Sequence, residues 1–274
     1  MKLKAIFLML NAVLCVAFLV LFLLPFLLIG GDYFALFWAR NWAIAVVFLA
    51  ALAAVNAYFL LNWGLFAALE KEDWARTAAI LEGRIFRRGW AFGTSVRMLL
   101  TTYLVGSDTE SIRALEAYLR KRRPRLIGRF SLQFGIPYLL MKDPLESEKL
   151  FGSLASARGV RDREWVRWNR AFSLVQAKRE QEAKQEILPL LDGVVDPVLR
   201  LLSLYLLDVF ARRDGEAEER VAAERKLLRA RYTPESFRRI VEKGRENIEV
   251  VVLSRMVEDA EGWLFTAARG ESAG

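Results

Sequence analysis

Two stretches near the start of the chain carry no charge, 27 residues between Lys4 and Asp32 and 29 residues between Arg40 and Glu70. At 1.5 Å per helical residue each reaches ~40 Å, more than the ~30 Å of a bilayer's hydrocarbon. They predict two membrane-spanning helices, at about 5–29 and 39–61, folded into a hairpin by the connector Gly30-Gly31-Asp32-Tyr33. A cleaved signal peptide starts with similar basic residues, but its apolar region is only about 7–15 residues long and ends in small ones. Here the run is far longer and ends Leu-Leu-Ile-Gly-Gly, and Leu14 stands where a lipoprotein signal needs a small residue before Cys15. Trp38, Trp42 and Trp63 flank the second span as an interfacial aromatic belt does. No proline follows that span before Glu70, so it is expected to run unbroken into the soluble part.

Within the hairpin two details have two readings each. Ala39, Ala43, Ala50, Ala53, Ala54 and Ala57 either supply small-xxx-small spacing on which the first helix packs, or reflect how common alanine is in membrane helices. Asn11 and Asn56 stand equally far from a turn centred near Tyr33 and Phe34. Either they hydrogen-bond across the hairpin, or each faces a headgroup or a backbone carbonyl. Lys2 and Lys4 precede the hairpin, Arg40 alone lies in its connector region, and Lys71, Arg76, Arg84, Arg87 and Arg88 follow it. The positive-inside rule therefore places both termini in the cytoplasm and the connector outside, with the hairpin in the cell membrane.

After Trp63 charge returns and stays evenly mixed, and most windows show apolar residues at i, i+3, i+4 and i+7, the helical period. A longer period overlies it. Trp74 is followed by Thr77, Leu81 and Ile85; Asp108 by Ser111, Leu115 and Leu119; Pro144 by Ser147, Phe151 and Ala155; Glu180 by Ala183, Ile187 and Leu191. The anchors 74, 108, 144 and 180 are 34, 36 and 36 residues apart, and an apolar helix precedes each. With Glu72-Asp73-Trp74 and Gly106-Ser107-Asp108 at the turns, this resembles the tetratricopeptide repeat (TPR) family. That family's motif has Gly-Asp-Tyr between helices A and B, then a small residue and a large apolar one. The resemblance implies an all-α fold: a transmembrane helical hairpin over 1–63 followed by a TPR-like α-solenoid of about four to five helix pairs over 64–232. Residues 233–274 would form a capping helix or helices, opened by Thr233-Pro234-Glu235 as N-cap and N1, with a disordered tail. The whole also resembles, in architecture only, the bacterial HemY-type inner-membrane proteins.

Composition removes much chemistry. The chain has no histidine and one cysteine, so imidazole-based nucleophilic systems, His-metal sites and internal disulfides are excluded. The phosphate-binding glycine motifs and the G-x-S-x-G elbow are missing, and neither span holds an acid, a lysine or a histidine. No catalytic residue, metal or cofactor is expected, and the chain reads as a non-enzyme.

The densest basic cluster is Arg120, Lys121, Arg122, Arg123 and Arg125, with Arg129 nearby. It could meet anionic lipid headgroups or nucleic acid. It could equally be the cationic end of a helix stopped by Pro124. Trp165 and Trp168 share a helix face and read as core or as a partner anchor. The resemblance to TPR domains puts Tyr138, Lys142, Arg170 and Lys178 on the groove-lining helices A, a mostly cationic lining suited to an acidic or amphipathic segment of another protein. The expected function is a membrane-anchored protein-binding scaffold or assembly factor at the cytoplasmic face. The alternative is a basic helical-repeat module binding anionic lipid or nucleic acid, with nucleic acid disfavoured because no aromatic residues interleave the cluster.

Overall fold

The computed structural model describes residues 2–29, 31–140, 143–157, 159–211, 214–244 and 248–266, all helical or turn with no strand among them. The chain divides into two compact units, Met1–Ser107 and Asp108–Gly274.

The first unit opens with α1 (Lys2–Ile29) and α2 (Gly31–Glu70), both long and apolar enough to cross a membrane. They pack antiparallel along a seam of residues three and four apart, the spacing that keeps one stripe of a helix facing its partner. Phe7 meets Phe59 with ring centroids 5.2 Å apart, Phe18 meets Phe48 at 5.5 Å and Phe22 meets Trp38 at 5.5 Å. Only Ala45 among the alanines of α2 is buried in this seam. Ala39, Ala43, Ala50, Ala53, Ala54 and Ala57 all face outward, so they do not serve the approach of α1. The seam runs through Asn41, Ala45, Phe48, Leu52 and Val55, and the register of those positions turns the other alanines away. Asn56 Nδ2 donates to Asn11 Oδ1 at 2.8 Å, and each amide also donates to the carbonyl one turn back. The cross-hairpin pairing is thus the one adopted. It is worth roughly 0.6–2 kcal/mol where water is excluded.

Helix α2 continues unbroken through 40 residues, ~60 Å, to Glu70, past the span end expected at residue 61. Helix α3 (Trp74–Glu82) folds back along its last turns, widens into a π-helical turn at Gly83–Arg87, and is followed by α4 (Gly93–Val105). Leu81, Ile85, Val96, Leu99 and Leu100 form the small core between them.

The second unit contains α5 (Thr109–Arg122), α6 (Pro124–Arg129), α7 (Ser131–Leu140), α8 (Pro144–Ala155), α9 (Arg163–Gln176), α10 (Glu180–Gly193), α11 (Pro197–Ala211), α12 (Gly215–Arg231), α13 (Pro234–Gly244), α14 (Ile248–Val252) and α15 (Ser254–Phe265). From α7 to α12 each helix packs on the next. Helix α11 is the most enclosed: Leu199, Leu201, Leu202, Leu204 and Leu207 point in several directions and are all fully buried. A helix apolar all round needs cover on every side, and α9, α10, α12, α13 and α15 supply it. The C-terminal segment therefore folds back in pieces rather than as one long helix. Arg225 and Arg229 of α12 donate to the last carbonyls of α15 around Trp263, Leu264 and Thr266.

One local device recurs along the chain. Glu72, Ser107 and Lys178 have φ of 53°, 54° and 61°, the left-handed region, each directly before a helix-capping residue. Glu72 N–H bonds the Leu69 carbonyl and Asp73 N–H the Ala68 carbonyl, and Lys178 and Arg179 repeat both bonds to Val175 and Leu174. This is the Schellman ending, and its final residue is at once the N-cap of the next helix. Asp73, Asp108, Asp143 and Asp214 accept the N–H three residues on at 3.0, 3.0, 3.1 and 3.3 Å; Arg179 holds the same place without a side-chain cap. The five caps stand 35, 35, 36 and 35 residues apart. This corrects the register expected at the second turn. Asp108 aligns with Asp73 and Asp143, so the buried position one turn into the helix is Ile112, and Ser111 is only half-buried.

Helices α7 and α8 approach most closely at Gly135, where a Cβ would fall 2.4 Å from Phe151 Cζ. Gly135→Ala is expected to lower the free energy of unfolding by about 1–3 kcal/mol through overpacking, and Asp143→Ala by about 1 kcal/mol through loss of the cap. Lys178→Gly should raise it by up to about 1 kcal/mol by relieving the left-handed backbone. Denaturant unfolding of the detergent-solubilised chain, followed by circular dichroism, reads all three. In a Cys15→Ser background, Asn11→Cys with Asn56→Cys should crosslink readily; a pair that stays reduced under oxidant would contradict the seam.

Candidate functional site

The residues singled out from the sequence fall in two places within the second unit, and the structure ties each to carboxylates. Tyr138 on α7 reaches across to α5, where its hydroxyl donates to Glu116 Oε2 at 2.7 Å. Arg120 Nη2 donates to the other oxygen, Oε1, at 2.6 Å from one turn further along α5. The Arg113 guanidinium lies 5.3 Å from the centre of the Tyr138 ring. Glu116 is only 4% exposed and occupies the place that Leu81, Phe151 and Ile187 hold eight residues after the other caps. A charge at such a position persists only when hydrogen-bonded on both oxygens, as here. Burial, then the hydrogen bond to Glu116 and its charge, push the Tyr138 phenol up to about 12.

A cavity of about 460 Å³ opens beside this group, walled by Arg113, Glu116, Arg120, Lys121 and Tyr138. Tyr138 and the basic cluster, expected on separate surfaces, therefore share one wall. Beyond Arg120 the cluster is free of acids: Lys121, Arg122, Arg123, Arg125 and Arg129 are exposed, and among the described residues none pairs with a carboxylate. Arg122 instead covers the Tyr118 ring at 5.4 Å and Arg129 the Phe130 ring at 5.7 Å. The dipole of α5 favours the three cations of its last turn. Arg123 is at once the C-cap of α5 and the N-cap of α6, and Arg125 lies in the first turn of α6, where a helix dipole disfavours a cation.

The second place is a charge ladder over α8, α9 and α10. Arg170 lies between Glu186 at 2.5 Å and Glu148 at 3.5 Å; Arg167 also reaches Glu186 at 3.4 Å. Arg179 shares Glu148 at 3.6 Å and binds Glu182 through two nitrogens. Arg170 is thus charge-balanced, not part of a cationic lining. Lys178 is exposed in the left-handed turn between α9 and α10, and Lys142 lies outside the described residues. Trp168 is fully buried and stacks on Phe172 at 5.3 Å, with Trp165 edge-on at 6.2 Å; both are core. Among the described residues no three acidic or thiol side chains gather as metal ligands.

Glu116 escaped the sequence reading, although one signal was present: it lies among Ile112, Leu115 and Leu119 on the apolar side of α5, four residues before Arg120. Glu148 and Glu186 carried no such signal, because each matters only through a neighbouring helix.

The family described as "Uncharacterised Treponema protein" matches residues 111–266, which include every side chain of both places. An uncharacterized protein of Treponema pallidum (strain Nichols) is 28% identical over 232 residues, 80% of this chain and 74% of that protein. No solved structure matches.

The phenol's raised titration makes a pH prediction. Below pH 10 Tyr138 is protonated in folded and unfolded chains alike, so its contribution to stability is complete; it is lost as pH rises from 10 through about 12. Glu116→Gln should bring the phenol part of the way back toward 10 while burial keeps some of the shift. Difference absorbance of phenolate against a Tyr138→Phe reference measures this, and an unmoved titration in Glu116→Gln would remove Glu116 as a cause.

Proposed function

The chain belongs to the uncharacterised Treponema protein family, and we propose that it is a membrane-anchored protein-binding scaffold. In this reading the α1–α2 hairpin spans the cell membrane with both termini in the cytoplasm, and the later helices form a TPR-like α-solenoid. The observation that carries it is the helix start repeated at Asp73, Asp108, Asp143, Arg179 and Asp214. One supersecondary unit recurring at a fixed interval favours stacked helix pairs, whose purpose in proteins is an extended binding surface. Thr77, Ser147 and Ala183 sit four residues after their caps with at most 1% exposure, as close-packed helix pairs require.

The partner's contact is an acidic segment lying on α5 and α6. Lys121, Arg122, Arg123 and Arg125 offer unpaired charge there, and the Glu116–Tyr138–Arg120 group holds the adjoining wall in one conformation. The same unpaired cations favour a second reading, a basic module binding anionic lipid. Salt separates the two only in degree, so the partner itself must decide.

Crosslinking in native membranes, with mass spectrometry of what is captured through a photoreactive residue at Ala117, tests the proposal. We expect one reproducible protein, crosslinked through an acidic stretch. Replacing Lys121, Arg122, Arg123 and Arg125 by glutamine should reduce its capture in detergent at least tenfold, since charge pairs at interfaces are commonly worth more than about 1.4 kcal/mol together. Capture of lipid alone, abolished by the same four changes, would overturn the scaffold reading in favour of the second.

A further inference from the structure

The first unit carries a feature that the scaffold reading does not use. Helix α3 descends antiparallel along α2: Ile80 Cδ1 lies 3.9 Å from where a Cβ on Gly64 would stand. One turn lower, Arg84 Nη1 donates to Asn62 Oδ1 at 2.7 Å, and Nη2 to the Leu61 carbonyl at 3.4 Å. Leu61 is the residue at which the second span is expected to end from the sequence. The chain then goes on in the same direction through the π-helical turn Gly83–Arg87 before reversing into α4. Its tip is therefore brought back alongside the end of the membrane span.

The tip is built to present its side chains outward. Ile85 and Ala91 are buried and hold it from beneath, while Gly89 takes a φ of 70° and Trp90 N–H bonds the Arg84 carbonyl at 2.9 Å. Above this base Trp90 is 52% and Phe92 60% exposed, Arg87 and Arg88 are exposed, and Arg88 lies 5.5 Å from the Trp90 ring centre. No acidic residue occurs between Glu82 and Asp108. Two exposed aromatic rings beside unopposed arginines cost free energy in bulk water. At a headgroup layer the rings occupy the apolar–polar boundary, and the guanidinium groups reach phosphates.

We propose that Arg87, Arg88, Trp90 and Phe92 form a second, interfacial contact with the anionic leaflet on the same side of the bilayer that holds the α1–α2 hairpin. The inference rests on the hairpin spanning a bilayer, as proposed above. It adds that α2 is held by two points: its own span, and the tip pinned to it through Arg84. A rigid continuous helix with two attachments cannot tilt freely in the bilayer.

The test uses the full chain in a Cys15→Ser background, reconstituted into partner-free vesicles of phosphatidylcholine and phosphatidylglycerol. An environment-sensitive fluorophore is placed at Thr94→Cys, beside the tip, or at Glu72→Cys, at the opposite turn of the same unit. Lipids with a nitroxide at the headgroup should quench the label at position 94 strongly and leave position 72 as in water. Each of Arg87→Gln and Arg88→Gln should lower the docked-to-undocked ratio about fivefold on anionic vesicles. Trp90→Ser with Phe92→Ser should reduce quenching at 94 to the level at 72. Equal, aqueous behaviour at both positions in protein that resists alkaline extraction would overturn this inference and leave the anchor standing. Protein that is extracted by alkali, or does not float with vesicles, would overturn the anchor and this inference with it. Quenching that ignores the four substitutions would overturn the assignment to these side chains.

Discussion

The reversal of the chain at a left-handed residue followed at once by a helix cap is the constraint on which the rest of the structure depends. It joins two solutions to one problem. A helix ends with unpaired carbonyls and the next begins with unpaired N–H groups. The Schellman bonds satisfy the former at Ala68 and Leu69 or at Leu174 and Val175, and the capping aspartates satisfy the latter. Because both are completed within a few residues, α2 and α3, and likewise α9 and α10, leave their turns closely packed. Their facing sides then need small residues, and Thr77, Ser147, Ala183 and Gly135 stand there.

Against that background Glu116 is the departure. Where the other helices bury Leu81, Phe151 or Ile187, α5 buries a carboxylate and recruits Tyr138 and Arg120 to satisfy it. An apolar residue of similar volume would serve stability at least as well; what the polar group adds is one defined arrangement of the α5–α7 wall. The ladder of Arg167, Arg170 and Arg179 with Glu148, Glu182 and Glu186 works in the opposite sense. It cancels charge over α8–α10, whereas the cations at 121–129 stand together with no carboxylate partner among the described residues. Charge that is balanced serves the fold, and charge that is not is available to a ligand.

In a bilayer the hairpin would follow different rules, because hydrocarbon offers no drive to bring apolar surfaces together. Packing of aromatic rings and one amide pair do that work in the seam. Leu8, Met9, Val47, Leu60 and Leu61 point outward with more than three-fifths of their surface exposed. Such a surface is stable only in lipid or against another apolar helix. Helix α2 then carries this anchored geometry outward without a joint, and Arg84 ties the α3–α4 tip to it.

The sequence by itself determined the helical character, the two long apolar runs and the continuity of α2, since each depends on residues close in the chain; an antiparallel count put Asn11 and Asn56 at one level but left their pairing as one of two readings. It also determined the interval of the turns, though not their register at Asp108: propensity cannot distinguish an N-cap from its neighbour when Ser107 and Asp108 are both good caps. Tertiary structure alone decided which face of α2 meets α1. A seam of three- and four-residue steps can start at several positions, and only the fit of the rings selects Ala45 over Ala43. It decided too that Arg170 is spent on Glu148 and Glu186, and that Tyr138 joins the basic cluster through Glu116. Those partners are up to 22 residues apart, and no local pattern encodes which side chains meet once helices pack. Charge counts show how many cations a chain carries; only packing decides which are left unpaired.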